Sequence, residues 1–194
     1  SRVYVDPFFA QPTLAIFCDV LEPSTGENYS RDPRSTAKAA LSHMESLGIA
    51  DTAFFGPEAE FFLFDDVKYD ASMNRGYYEV DSVEGPYNTA RDFEEGNLGH
   101  RPGVKGGYFP VPPVDSGQDI RSEMLSVMAE MGVPVEKHHH EVAPSQHELG
   151  MKFGTLLETA DNLQLYKYAV HNVAQAYGVS ATFMPKPIAG DNGS

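Results

Sequence analysis

The stretch 135–153, VEKHHHEVAPSQHELGMKF, is the part of the sequence that decides the fold. Residues 135–142 and 146–153 flank the triplet Ala-Pro-Ser at 143–145, which has the composition of a turn. This pattern predicts a strand, a tight turn and a second strand. The chain is therefore expected to contain an antiparallel hairpin whose two strands carry many ionisable side chains.

The predicted hairpin brings two carboxylates together. Glu141 and Glu148 would lie near each other on adjacent strands, within reach of one ion. The three consecutive histidines, 138–140, point alternately to opposite faces of a strand and so would not all meet one metal. For each of them taken singly, a hydrogen-bonded structural role is the favoured interpretation.

A second pair of carboxylates lies upstream, in residues 53–66, which we interpret as one strand running through the interior. Glu58 and Glu60 are two residues apart and would project from the same face, with Cβ atoms about 7 Å apart. Neighbouring phenylalanines would partly desolvate them, and a divalent metal would balance two such anions. A solvated polar face on an edge strand explains the same pattern equally well.

Joined together, the two pairs would form a cluster of four glutamates. Oxygen-dominated sites of this kind suit Mg²⁺ or Mn²⁺, which hold substrate phosphates while keeping some water ligands, rather than a tetrahedral zinc ion. Two loops could supply substrate contacts. Residues 105–115 contain adjacent glycines and prolines that would present Tyr108 rigidly, and residues 184–194 contain Asn192 and Gly193 in a loop-like stretch. A stiff surface loop and a frayed end are adequate alternatives.

The remaining pattern mixes strands and helices without regular alternation, which favours an α+β fold with a largely antiparallel sheet and flanking helices. Short strands are predicted at 3–5 and 13–20, and a first helix from Asp32-Pro33 to Gly48. A second helix is capped by Ser116 and has its apolar face on Ile120, Met124, Val127, Met128 and Met131. A third helix covers 156–177 and is closed by Gly178. Residues 67–115 are predicted as a long irregular excursion. The usual phosphate-loop motifs are absent from the sequence.

Composition excludes several classes of partner. Fourteen Lys and Arg against 28 Asp and Glu give a net charge of −14 and a pI near 4.7, and the basic residues are scattered. This argues against nucleic acid or an anionic membrane as the partner. No apolar stretch is long enough to span a bilayer, and the single cysteine, Cys18, fits a reducing cytoplasm and a packing role.

Four segments, in this order and spacing, resemble the signature segments of bacterial type I glutamine synthetase: residues 56–62 (GPEAEFF), 105–115, 138–148 and 186–194 (KPIAGDNGS). The resemblance covers essentially all 194 residues and is nearest to the proteobacterial kind. It implies that residues 1–26 are the C-terminal tail of a β-grasp domain and that 32–194 form the N-terminal part of the catalytic domain. The fold would then be incomplete because the chain is a fragment of a longer protein.

The resemblance also implies roles for individual residues. Glu60, Glu141 and Glu148 would coordinate one Mg²⁺ or Mn²⁺, and Glu58 would be a ligand of a second. Tyr108 would line the ammonium site and, with Glu141, take part in catalysis. The nucleotide would contact Glu136, and the glutamate substrate would contact Asn192 and Gly193.

The implied reaction is the ATP-dependent ligation of ammonia to L-glutamate through γ-glutamyl phosphate, in a cytoplasmic dodecamer of two hexameric rings. The isolated fragment is expected to be inactive. A γ-glutamyl ligase that uses another amine, a non-catalytic scaffold protein and, without the resemblance, a metal-dependent hydrolase are the alternatives.

Overall fold

The computed structural model describes residues 2–88 and 99–194. In chain order the elements are β1 (Val3–Asp6), β2 (Thr13–Ile16), α1 (Pro33–Ser46), β3 (Phe54–Phe55), β4 (Glu60–Phe64), β5 (Asp66–Ser72), β6 (Arg75–Asp81), α2 (Gln118–Glu130), β7 (Val135–His140), β8 (Gln146–Met151), β9 (Gly154–Thr155), α3 (Leu156–Ala176) and β10 (Ser180–Thr182). Four strands form the central sheet in the order β10-β4-β8-β7, and every pairing in it is antiparallel. This confirms the predicted α+β class.

The predicted hairpin is present as β7 and β8. Its turn places Ser145 at a positive φ of 66°, which lets Gln146 start the return strand. All six residues of β8 are buried because β4 and β7 flank this strand on both sides. Strand β8 is therefore interior to the sheet, with buried side chains on both faces, whereas β7 is an edge strand whose Glu136 and Lys137 are exposed.

Helices α2 and α3 pack against one face of this sheet. The apolar face predicted for α2 is buried, and α3 contributes Leu165, Tyr166, Ala169, Val170, Val173 and Ala174 to the same core. Phe61 and Leu63 of β4 and Leu149 of β8 face these helices. By strand alternation, Glu60, Phe62 and Glu148 face the other way, so the sheet separates the helical core from the carboxylates.

Two strand predictions need correction. Residues 53–66 do not form one strand, because the chain breaks at Gly56-Pro57 into β3 and β4, and Phe54 and Phe55 are 63% and 47% exposed. The excursion 67–115 is only partly irregular. Strands β5 and β6 pair over their whole length and are joined by the two-residue turn Met73-Asn74. Residues 89–98 of this excursion lie outside the described part of the chain.

The hydrogen bonds at the helix ends test the predicted caps of α1, α2 and α3. Ser116 does not cap α2: the N-cap position belongs to Gly117, and the Ser116 hydroxyl donates to Glu84 instead. At α1 the predicted cap is confirmed, because the Asp32 carboxylate accepts from the backbone N–H groups of Arg34 and Ser35. The predicted end of α3 is also found, with Gly178 at φ +75°.

The N-terminal strands β1 and β2 form a separate two-stranded sheet, and the second is shorter than predicted. The division into residues 1–26 and 32–194 remains a prediction. Within the described ranges, no helix has both the length and the apolar character that crossing a membrane requires.

Replacing Asp32 by Ala is expected to fray the first turn of α1, because two helix N–H groups lose their acceptor. The cost of a lost N-cap is about 1 kcal/mol, which corresponds to a roughly fivefold larger equilibrium constant for opening of this turn. Hydrogen exchange of the Arg34 and Ser35 amides measures this. Asp51→Ala, at an exposed loop position, is the control; equal protection of the two amides in Asp32→Ala and wild type would contradict the assignment.

Candidate functional site

The register of the central sheet builds a cluster of acidic side chains on the face away from the helices. Glu60 of β4 lies directly opposite Glu148 of β8, and Glu148 lies opposite His139 of β7. Glu141 follows β7 and is held at the hairpin by its backbone N–H, which donates to the Gln146 carbonyl at 2.8 Å. The predicted pair Glu141 and Glu148 is thus brought together.

His139 lies between these two carboxylates. Its Nε2 is 2.7 Å from Glu141 Oε1 and 3.5 Å from Glu148 Oε2. One ligand atom from each of the three residues lies within 4.8 Å of the others, and all three residues are buried. His139 Nδ1 is buried and has no hydrogen-bond partner among the described residues.

The sequence analysis interpreted His139 as structural and did not anticipate its position between the two carboxylates, where it could also join a metal site. The available signal was the spacing of two residues between His139 and Glu141, which is the same spacing as between Glu58 and Glu60. His138 and His140 fit the structural interpretation, and His147 lies on the same face of the sheet as they do. They face α2, where Arg121, itself fully buried, donates to His138 Nδ1 at 3.1 Å and to His147 Nδ1 at 3.0 Å.

The carboxylates of the cluster have perturbed pKa values. Burial raises the pKa of Glu60, and the nearby charges of Glu141 and Glu148 raise it further. Burial also raises the pKa of Glu148, which the charge of Glu141 raises again while His139 partly offsets the effect. Hydrogen bonds to Glu60 from the Gln146 amide and the Ser194 hydroxyl only partly compensate. The negative charges of the cluster are therefore only partly compensated within the protein, which favours binding of a cation.

The donor set fits a divalent metal ion. Three carboxylates provide hard oxygen ligands, and the imidazole is close enough to join them. The pKa values of Glu60 and Glu148 are raised first by burial and then by like-charge repulsion, which a bound cation would relieve. A set dominated by oxygen suits Mg²⁺ or Mn²⁺ better than zinc.

Glu58 occupies a different position from the one predicted. It lies before β4 rather than on it, and its side chain is exposed. Its charge nevertheless acts on Glu148, whose pKa it helps to raise, so it lies at the edge of the cluster. The buried Tyr166 of α3 fixes this segment by donating to the Ala59 carbonyl at 2.5 Å and accepting from the Leu149 N–H at 3.2 Å.

The loop 105–109 lies over His139. The Phe109 ring stacks on the imidazole at 4.4 Å between centroids, and the Tyr108 ring meets it edge-on at 6.0 Å. Phe109 has φ +51°, a left-handed conformation that is uncommon for a bulky residue. Tyr108 is 62% exposed, so the predicted tyrosine lies beside the cluster with its ring open to solvent.

The other predicted substrate residues are placed less directly. Asn192 and Gly193 are partly buried in a C-terminal loop whose Asp191 accepts from the Lys105 N–H at 3.1 Å, which ties this loop to the Tyr108 loop. Glu136 is exposed on β7, at the opposite end of that strand from Glu141. The roles of all three stay predictions.

Comparison with known proteins agrees with this geometry. A family model described as the glutamine synthetase catalytic domain matches residues 30–194. The glutamine synthetases of Azospirillum brasilense and Escherichia coli K12 are 73% and 58% identical, and each alignment covers 100% of this chain and 42% of the relative. A cryo-EM structure of Plasmodium falciparum glutamine synthetase superposes with a TM-score of 0.89 at 31% identity, covering 100% of this chain and 38% of that one. The chain thus spans less than half the length of these relatives.

Glu60→Gln is expected to separate stability from metal binding. The substitution removes one charge from a group of repelling anions, so the metal-free variant should melt at or above the wild-type temperature, whereas the rise in melting temperature on adding Mn²⁺ should be lost. Thermal unfolding with and without Mn²⁺ measures both. Glu79→Gln, at an exposed position on β6, should behave like wild type; an unchanged Mn²⁺ response in Glu60→Gln would count against the cluster as the metal site.

Affinity for Mn²⁺ should also depend on pH. The pKa values of Glu60 and Glu148 are raised above the ordinary value of 4.5. As the pH falls, protons should therefore begin to compete with the metal at a higher pH than for ordinary carboxylates, and the affinity for Mn²⁺ should decrease. Equilibrium titration with Mn²⁺ between pH 7.5 and pH 5 checks this expectation. An affinity that stays constant down to pH 5 would contradict it.

Proposed function

We propose that this chain, which belongs to the glutamine synthetase family, is part of an enzyme that ligates ammonia to L-glutamate with cleavage of ATP to ADP and phosphate. The observation that carries the proposal is the convergence of Glu60, Glu141 and Glu148 with His139 on one face of the sheet. An acidic cluster on this scaffold suits a reaction between anionic substrates because the cations it binds reverse the local charge.

We propose that the cluster holds two divalent cations, Mg²⁺ or Mn²⁺. Glu60, Glu141 and Glu148 would hold one, and Glu58, at the edge of the cluster, would contribute to the other. Divalent cations in such a site neutralise the negative charge that builds up on a phosphoryl group during its transfer.

The proposed chemistry has two steps. The γ-carboxylate of glutamate attacks the terminal phosphorus of ATP, which forms γ-glutamyl phosphate and releases ADP. Ammonia then attacks the acyl carbon, the bond to phosphate breaks, and the tetrahedral nitrogen loses a proton to give glutamine. Tyr108, beside His139, is suited to contact the ammonium ion through its hydroxyl and ring face, because an aromatic face attracts a cation.

The remaining assignments complete the substrate site. Asn192 and Gly193, in the loop tied to the Tyr108 loop, would bind glutamate, and Glu136 would contact the nucleotide. We further propose that residues 1–26 belong to a neighbouring β-grasp domain and 32–194 to the catalytic domain. The whole protein would be a cytoplasmic homo-oligomer, a dodecamer of two hexameric rings.

The proposal is tested with the full-length protein that contains this chain. Phosphate release should require glutamate, ammonia, ATP and Mg²⁺ or Mn²⁺ together. Glu141→Gln and Glu148→Gln should each lower kcat/KM by at least about 100-fold, since even outer partners of metal ligands contribute about 10- to 100-fold. Glu79→Gln is the matched control.

The choice of amine distinguishes the alternatives. Coupling of polyamines but not of ammonia would assign the γ-glutamyl-amine ligase reaction instead. Binding of Mn²⁺ without any amine-dependent phosphate release would support a scaffold protein, and phosphate release from ATP alone would indicate a hydrolase.

The 194-residue chain by itself is expected to form no glutamine, because it covers only 42% of the length of relatives such as the Azospirillum brasilense enzyme. An assay of the purified chain with all substrates and Mn²⁺ tests this expectation. Measurable glutamine formation would show that the catalytic set is contained in residues 1–194.

A further inference from the structure

The face of the sheet opposite the carboxylate cluster contains a second group of buried charges, centred on Glu84. This residue follows β6 and is 4% exposed. Its carboxylate accepts three hydrogen bonds, from His140 Nε2 at 2.6 Å, from the Ser116 hydroxyl at 2.6 Å and from the Ser145 N–H at 2.7 Å. One side chain thus joins the end of β7, the hairpin turn and the segment before α2.

His140 links Glu84 to the carboxylate cluster through the backbone of Glu141. Its Nδ1 donates to the backbone carbonyl of Glu141 at 2.6 Å, and its side chain is fully buried. The carboxylate of Glu141 lies on the opposite face, beside His139. The imidazole of His140 therefore holds the peptide group of Glu141 from the helix-facing side of the sheet.

Glu84, His140 and His147 could be regarded as a metal site, because their ligand atoms lie within 4.8 Å of one another. The hydrogen bonds argue against this. Both nitrogens of His140 face acceptors, a carbonyl and a carboxylate, so both carry protons and neither has a free lone pair. His147 Nδ1 accepts from Arg121, which only donates. The group is an ion pair within a hydrogen-bonded network.

The Tyr108 loop depends on the same backbone. The Gly107 N–H donates to the Val142 carbonyl at 2.9 Å, and the Phe109 N–H donates to the His140 carbonyl at 3.2 Å. Gly107 is buried so closely that a Cβ there would lie 2.6 Å from the Glu141 carbonyl oxygen and 2.7 Å from His140 Cε1. The position of this loop is therefore set by the backbone that His140 holds.

We propose that Glu84 and His140 are positioning residues for the active site: the buried pair holds Glu141 in place for metal binding and holds Tyr108 above the cluster. This inference rests on the proposed function, since it assumes that Glu141 binds a divalent cation. Residues that orient metal ligands in this indirect way commonly contribute about 10- to 100-fold to metal affinity.

Two variants of the full-length protein disturb the pair from opposite sides. Glu84→Gln keeps the size and an acceptor oxygen but removes the charge that faces His140. Gly107→Ala keeps both side chains of the pair but forces the Glu141 carbonyl and the His140 ring to move. Gly103→Ala is the matched control in the same loop, because a Cβ at Gly103 meets nothing within 4 Å.

Titration with Mn²⁺ alone, followed by the electron paramagnetic resonance of the free ion, measures affinity without depending on turnover. Glu148→Gln identifies which part of the binding curve belongs to the cluster. We expect Glu84→Gln and Gly107→Ala to weaken that part by about tenfold or more, and Gly103→Ala to leave it within about twofold of wild type. Circular dichroism and the melting temperature show whether each variant is folded.

The outcomes separate the two proposals. If wild type binds no Mn²⁺, the proposed function fails. If wild type binds Mn²⁺ and the folded variants bind it equally well, Glu84 and His140 have only a structural role and this inference is wrong, even if their melting temperatures fall. Should Glu84→Gln not fold, Gly107→Ala decides alone: weaker binding supports the inference, and unchanged binding overturns it.

Discussion

The register of β8 between β4 and β7 is the constraint on which the rest of the structure depends. It places Glu148 opposite Glu60 on one side and opposite His139 on the other. A shift of one residue would turn every side chain of β8 to the other face, which would move Glu148 into the helical core and Leu149 into the cluster. Apolar packing of Leu149 against the helices and the position of Glu148 in the carboxylate cluster are thus two consequences of one pairing.

Much of this arrangement could be predicted because its signals are local. The cap and end of α1, the buried face of α2 and the β7–β8 hairpin follow from residues close together in sequence, and the predicted proximity of Glu141 and Glu148 depended only on the hairpin. The site residues were selected largely through the family resemblance, since two glutamates at i and i+2 are weakly informative alone. The structure supplied the geometry that relates them.

The errors have physical causes. Gly56-Pro57 interrupts an apolar run that has the composition of one buried strand, and the exposed β5–β6 hairpin carries polar and aromatic residues that lack a clear apolar alternation. Glu84 had no local signal, because its partners His140 and Ser145 are 56 and 61 residues away in sequence. Only tertiary structure shows that its charge is buried and what it neutralises.

The two faces of the sheet differ in whether their buried charges are paired within the protein, and this difference explains why the cation site is proposed on one face and not on the other. On the helix face, Arg121 pairs with Asp115 and His140 with Glu84, so the buried charges balance within the protein. Here burial opposes the ionisation of Glu84, yet hydrogen bonding from His140 and the nearby histidine charges outweigh it and lower the pKa of Glu84 to about 2. On the other face, burial and then the neighbouring carboxylates raise the pKa values of Glu60 and Glu148 more than their partners lower them. Buried charges are tolerated only when they are paired. On the balanced face the pairs form within the protein and hold the backbone in place, whereas on the unbalanced face the missing partner would be a cation bound from solution.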